Sequence, residues 1–193
     1  MADGRKNITL ALQGGGAHGA FTWGVLDRLL EDDRLLVEGI SGTSAGAMNG
    51  AVVVAGMAEG GPAGAQALLA RFWEHVAETG RYSIFQPSAF DRMFGNAANL
   101  DFSPLYQGFD LMTRLLSPYQ LNPQGTNPLR DTLGEMIDFA KVREGGGVKL
   151  FVSTTNVRTG KIRVFRNHEL TADVLLASAC LPQLFQAVEV DGE

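Results

Sequence analysis

At 193 residues, 45% of them hydrophobic and with a mean hydropathy of +0.02, the chain suits one globular domain with a sizeable core and excludes a disordered segment. A net charge of −5 gives no basic footprint for nucleic acid, and a single cysteine, Cys180, excludes an internal disulfide and favours a reducing compartment. The amino terminus, MADGRKNITLALQGGG, lacks the long apolar core of a signal peptide, and no run approaches the roughly eighteen apolar residues of a spanning helix. A soluble protein, cytoplasmic or peripheral to a membrane, is expected.

The first predicted element is a strand, NITLALQ, which stops at three glycines. AFTWGVLDRLLEDD follows with apolar spacing near 3.6 and predicts a helix with Phe21, Val25, Leu26, Leu29 and Leu30 on one face. LVEGIS reads as a second strand and leads through a short turn into a helix of small residues from Ala45. Further helices are predicted around Ala63 to Thr79 and Pro128 to Val142, then a hairpin, VKLFVSTTNVRTGKIRVF, turning near Thr159-Gly160. TADVLLASAC predicts a last helix and QAVEV a last strand. Strand and helix alternate without an internal repeat, which implies an α/β domain: a mostly parallel sheet with helices on both faces.

Between Gly80 and Pro128 the texture changes. Eight of the sixteen aromatic residues fall here, among them Phe85, Phe90, Phe94, Phe102, Tyr106 and Phe109, with five of the seven prolines and little periodicity. Such a stretch is either an irregular excursion packed on the core or an apolar cap, residues 80–128, beside a site that receives acyl chains.

The chemistry concentrates at two glycine motifs. Gly42-Thr43-Ser44-Ala45-Gly46 is G-x-S-x-G at a strand-to-helix junction, where a sharp turn pushes the Ser44 hydroxyl out above the carboxyl edge of the sheet. Gly42 and Gly46 leave out side chains where strand and helix crowd, and the helix amino terminus favours negative charge beside the serine. An acyl-transfer nucleophile also needs donors for the tetrahedral oxyanion. The amide of Ala45 is one, and the loop Gly14-Gly15-Gly16-Ala17-His18-Gly19 supplies the others, because successive glycines can turn their N–H groups inward with no side chain in the way.

A different class of function competes for the same loop. Gly14-x-Gly16-x-x-Gly19 after a strand matches the dinucleotide fingerprint, with Glu38 as the ribose-binding acid. Glu38 precedes GISGTSAG, however, which puts it before or at the start of the second strand rather than at the end, where a ribose could reach it.

Together the motifs resemble a patatin-like phospholipase domain. LALQGGGAHGAFTWGVLDRLLE is similar to that family's glycine-rich oxyanion loop and following helix, and EGISGTSAGAMNGA to its nucleophile elbow; weaker echoes run through NPLRDTL, STTNVRTGKIRVF and ASACLPQLFQAVEV. The resemblance implies a serine acyl hydrolase with a Ser-Asp dyad, releasing fatty acids from phospholipids or related esters at a lipid surface without metal or cofactor. Ser44 would carry the acyl group, and Gly14, Gly15, Gly16 and Ala45 would form the oxyanion hole.

In that family the serine proton goes to an aspartate in a D-G-G or D-G-A motif, which is missing here. Asp191-Gly192-Glu193 comes nearest, but VEVDGE reads better as a strand and hairpin turn that precede the catalytic aspartate. The base is therefore expected beyond Glu193, in a remainder of the same chain or on a second chain. If that aspartate is absent altogether, a catalytically inactive lipid-binding domain is the alternative. A Ser-acid-His triad could recruit only His75, in the amphipathic ALLARFWEHVAE, or His168, in the turn-like RNHEL. His18, inside the glycine loop, is expected to stabilise it. Arg158, Lys161, Arg163 and Arg166 could face lipid phosphates, although their alternation with Ile162, Val164 and Phe165 reads as a solvated strand face.

Overall fold

The structure is a computed structural model that describes residues 4–80 and 103–193. The expected cap thus lies outside the described residues over 81–102, less than half of its length. Four strands form one sheet in chain order, β1 (Lys6–Leu12), β2 (Leu35–Gly42), β3 (Lys149–Thr155) and β4 (Ile162–Arg166). The first three are parallel and β4 returns antiparallel, so the chain has the α/β architecture expected of it. The β3–β4 connection is the predicted hairpin: Asn156 accepts from the amides of Arg158 and Thr159, and Gly160, at φ +68, turns the chain.

Register decides which side chains are buried. Ile40 lies opposite Leu150 and Gly42 opposite Val152, which in turn lies opposite Phe165; the three aliphatics and the phenylalanine are all buried on one face. Helix α2 (Ala45–Gly80) covers that face at close range, since a β-carbon on Gly50 would lie 2.8 Å from a Leu150 methyl and 3.2 Å from one of Ile40. The small residues of its first half are the reason it can lie so near; Ala47, Ala51, Val52, Val53 and Val54 are wholly buried. The two helices predicted for this stretch are one element broken at Gly60 and Gly61, where the backbone leaves helical geometry before Pro62. The halves then fold back on each other so closely that Gly56 and Ala65 leave no room for a β-carbon at position 56.

Helix α1 (Gly19–Leu30) corrects one expectation. Its buried line runs through Gly19, Leu26 and Leu30, whereas Phe21 is 80% exposed and Val25 45% exposed. Leu26 and Leu30 of the expected face are buried while Phe21 and Val25 are not, because the buried stripe is centred on the side where Gly19 seats closely on Ala45 and Trp73. The helix predicted over Pro128 to Val142 is also two, α5 (Leu129–Met136) and α6 (Phe139–Glu144), because Asp138 leaves helical geometry to cap the amides of Ala140 and Lys141. Helix α7 (Ala172–Ala179) is capped by Thr171, whose hydroxyl accepts from the Val174 amide. No strand forms over 186–190. Instead Val190 and Glu193 exchange backbone hydrogen bonds around Asp191 (φ +54) and Gly192 (φ +80), the paired positive angles of a type I′ turn.

Contacts group the described chain into two units, one of residues 1–73, 128–180 and 187–193, which holds the sheet, and one of 74–127 with 181–186. The second contains α3 (Pro104–Leu115) and the short α4 (Pro118–Leu121). Within it, the Gln186 side-chain amide donates to the Asn122 carbonyl at 2.7 Å.

Candidate active site

Only Thr43 and Ser44 separate the end of β2 from the start of α2, so the chain reverses within two residues. Ser44 takes the strain: its φ is +55, a left-handed conformation that side chains bearing a β-carbon adopt at a cost of roughly 1–2 kcal/mol. The flanking glycines permit the turn. A β-carbon on Gly42 would lie 2.6 Å from the Gly46 carbonyl carbon, and one on Gly46 would collide with the Leu12 carbonyl oxygen at the end of β1. Thr43 donates its amide to that same oxygen at 3.3 Å, tying the turn to the neighbouring strand.

The glycine loop leaves β1 beside this turn. Gly14 lies against Ser44, and a β-carbon there would approach that of Ser44 to 3.0 Å. Gly15 follows, then a 3-10 turn over Gly16–His18 that opens on Gly16 at φ +56. His18 is exposed, and both its amide and its Nδ1 lie 3.1 Å from the Gly15 carbonyl oxygen, a contact that holds the loop closed. Where the loop enters α1, the buried Asn49 donates to the Gly19 carbonyl at 3.0 Å and accepts from Trp73 Nε1 at 2.8 Å. Asn49 was not singled out in the sequence. A polar residue among small apolar ones, GAMNGA, is the signal that it satisfies buried partners.

Gly14, Gly19, Gly42, Thr43, Ser44, Ala45 and Gly46 are thus brought together at the carboxyl ends of β1 and β2, with Gly15, Gly16, Ala17 and His18 in the same exposed loop. Among the described residues, no backbone acceptor takes the amides of Gly14, Gly15, Gly16 or Ala45, and no hydrogen-bond partner meets the Ser44 hydroxyl. Two further serines join the turn. Ser44 donates its amide to Ser178 Oγ at 2.9 Å, Ser178 donates its proton to the Ser153 carbonyl at 2.8 Å, and the hydroxyls of Ser153 and Thr43 meet at 2.5 Å.

The competing groups have surroundings of their own. Glu38 sits in the middle of β2 rather than before it or at its start as expected, because the strand begins earlier, at Leu35; it is 3.4 Å from Lys149 Nζ on β3 and not at the strand's carboxyl end. His168 is exposed in a 3-10 turn after β4, and His75 is half-buried in the second half of α2. Asp191 is paired with Arg163 at 2.5 Å, and that guanidinium stacks 4.3 Å over Phe165. Of the basic cluster, Arg158, Lys161 and Arg166 are exposed. Burial raises the pKa of the Cys180 thiol, which disfavours the nucleophilic thiolate. Among the described residues no group of His, Cys, Asp or Glu is placed to hold a metal, and no helix is long and apolar enough to cross a membrane.

A serine held at positive φ between a parallel strand and a buried helix, beside a glycine loop, places the chain among α/β proteins with a tight strand–turn–helix junction at the carboxyl edge of the sheet. Within that class the match is particular: the family model for patatin-like phospholipases matches residues 10–193, and the chain belongs to that family of lipid hydrolases. No curated protein matches the sequence. Among solved structures it is similar to a chain of the heterodimeric ExoU–SpcU complex from the type III secretion system of Pseudomonas aeruginosa, at 16% identity and a TM-score of 0.40. That likeness covers 91% of this chain but 36% of the other, so this chain spans little more than a third of the other's length.

Proposed function

We propose that the protein is a serine acyl hydrolase that cleaves phospholipids or related fatty-acyl esters at a lipid surface. The observation that carries the reading is Ser44 at φ +55, its hydroxyl unpaired among the described residues and Gly14 packed against it. In the reaction Ser44 Oγ attacks the ester carbonyl carbon while its proton passes to a base. The carbonyl oxygen becomes an oxyanion held by the amides of Ala45 and the loop glycines Gly14, Gly15 and Gly16. Collapse of that intermediate expels the lysolipid alcohol, which takes the proton, and leaves the acyl group on Ser44. Water, deprotonated by the same base, then attacks the acyl-enzyme, releasing the fatty acid and returning a proton to Ser44.

No step of this scheme calls on a metal or cofactor. We assign the base to an aspartate other than Asp191, which is engaged by Arg163 in a tight turn. Family membership supports the lipid substrate. The test is Ser44→Ala in the full-length protein, which should abolish both hydrolysis of a soluble fatty-acyl ester and labelling by a fluorophosphonate. Labelling that persists in a folded mutant would falsify the assignment.

A further inference from the structure

We propose that Ser178, near the end of α7, is a positioning residue for the reaction: it fixes the strained backbone of Ser44 and withdraws the Ser44 amide from the oxyanion hole. The inference rests on the reading of Ser44 as nucleophile. A non-glycine residue at positive φ persists only where its surroundings over-determine it. Ser44 stands just before the first turn of α2, so its amide has no place in the helical ladder. Ser178 Oγ accepts that amide at 2.9 Å and passes its own proton to the Ser153 carbonyl at 2.8 Å. The relay joins three separate elements, the elbow, α7 and β3, and the contact between Thr43 Oγ1 and Ser153 Oγ at 2.5 Å closes it from the side.

The position of Ser178 is itself determined. Thr171 caps the start of α7, and Val174, Leu175 and Leu176 are buried, so the helix cannot rotate without exposing them. The residue must accept from an amide and donate to a carbonyl at once, which a hydroxyl does and a thiol does poorly. Because the hydroxyl is engaged on both sides, it acts on the chemistry through Ser44 rather than on substrate. A second consequence concerns donors. Nucleophile amides serve in some oxyanion holes; here that of Ser44 is already committed, so Ala45 and the glycine loop supply the donors.

The experiment compares Ser178→Ala, Ser178→Cys and Ser178→Thr with the parent in the full-length protein, using a soluble fatty-acyl ester, fluorophosphonate labelling and hydrogen exchange at the Ser44 amide. Ser178→Ala and Ser178→Cys should lower kcat and the labelling rate by about 10- to 100-fold with KM little changed, since small misplacements of a reacting group have effects of that order. The Ser44 amide should exchange faster in both, and Ser178→Thr, which keeps the hydroxyl, should recover most of kcat. Parent-like kcat in a folded Ser178→Ala overturns the proposal. If that variant does not fold, Ser178→Cys decides in the same way. Ser44→Ala is run alongside: activity surviving there defeats the nucleophile reading, whereas a dead Ser44→Ala with a parent-like Ser178→Ala defeats this inference alone.

Discussion

Gly14 and Ser44 are packed so tightly that a β-carbon on the glycine would stand 3.0 Å from that of the serine and 3.2 Å from the Thr43 carbonyl oxygen. The loop and the elbow are therefore one unit, and a methyl group on the first shifts the second. Gly14→Ala should fold with a loss of about 1–3 kcal/mol from overpacking. Its acyl-transfer rate should fall by roughly 10²-fold, the scale set by loss of one oxyanion donor or by misplacement of the nucleophile. Ester turnover measured beside the thermal midpoint separates the two effects.

Gly46 faces a harder obstacle, the Leu12 carbonyl oxygen, which is backbone and cannot give way. Gly46→Ala should destabilise by more than about 3 kcal/mol and accumulate as insoluble protein. Gly24 and Gly134 provide the contrast: both lie inside helices, and a β-carbon on either would meet nothing within 4 Å. Alanine at either should leave stability unchanged or raise it by about 0.4–1 kcal/mol. Thermal unfolding of the three variants checks the ordering.

Asn49 bridges α1, the first half of α2 and Trp73 from a fully buried position. Truncation to alanine leaves the Gly19 carbonyl and the Trp73 indole without partners, at about 2–3 kcal/mol in all. For a chain of this size that is a fall of roughly 4–12 °C in the thermal midpoint. A calorimetric scan of Asn49→Ala tests it; a midpoint equal to that of the parent shows that the bridge contributes nothing to stability.

The dyad reading makes three titratable residues dispensable. His75→Gln, His168→Gln and Asp191→Asn should each keep the acyl-transfer rate within roughly tenfold, whereas removal of a true base costs on the order of 10² to 10⁴. Asparagine suits the left-handed position of Asp191 in its type I′ turn, so the fold should tolerate that change. A drop of the larger size in any one of them, with folding intact, moves the base to that residue.

Sequence alone revealed the sheet, the elbow and the glycine loop because each carries its signal locally, in aliphatic runs broken by glycine. Burial on α1 was less legible: the expected face was drawn too wide, since Leu26 and Leu30 are buried on the side where Gly19 meets Ala45 and Trp73 while Phe21 and Val25 are exposed. The split at Asp138 is a capping choice that periodicity does not register. Over 186–190, apolar alternation suggested a strand, but a strand also needs a neighbour to pair with, and the described residues give it none. Ser178 lies 134 residues from the amide it accepts, and no spacing rule reaches across that interval.

With Ser44 as the proposed nucleophile, its left-handed backbone sets stability against activity at a single position. Glycine adopts that angle freely, so Ser44→Gly should be more stable than the parent by about 1 kcal/mol while being inert as a hydrolase. Selection for thermal robustness alone would therefore drift toward losing the nucleophile. A screen for stabilised variants of this protein has to read activity in parallel, or it will enrich inert scaffolds whose improvement comes from relief of the elbow.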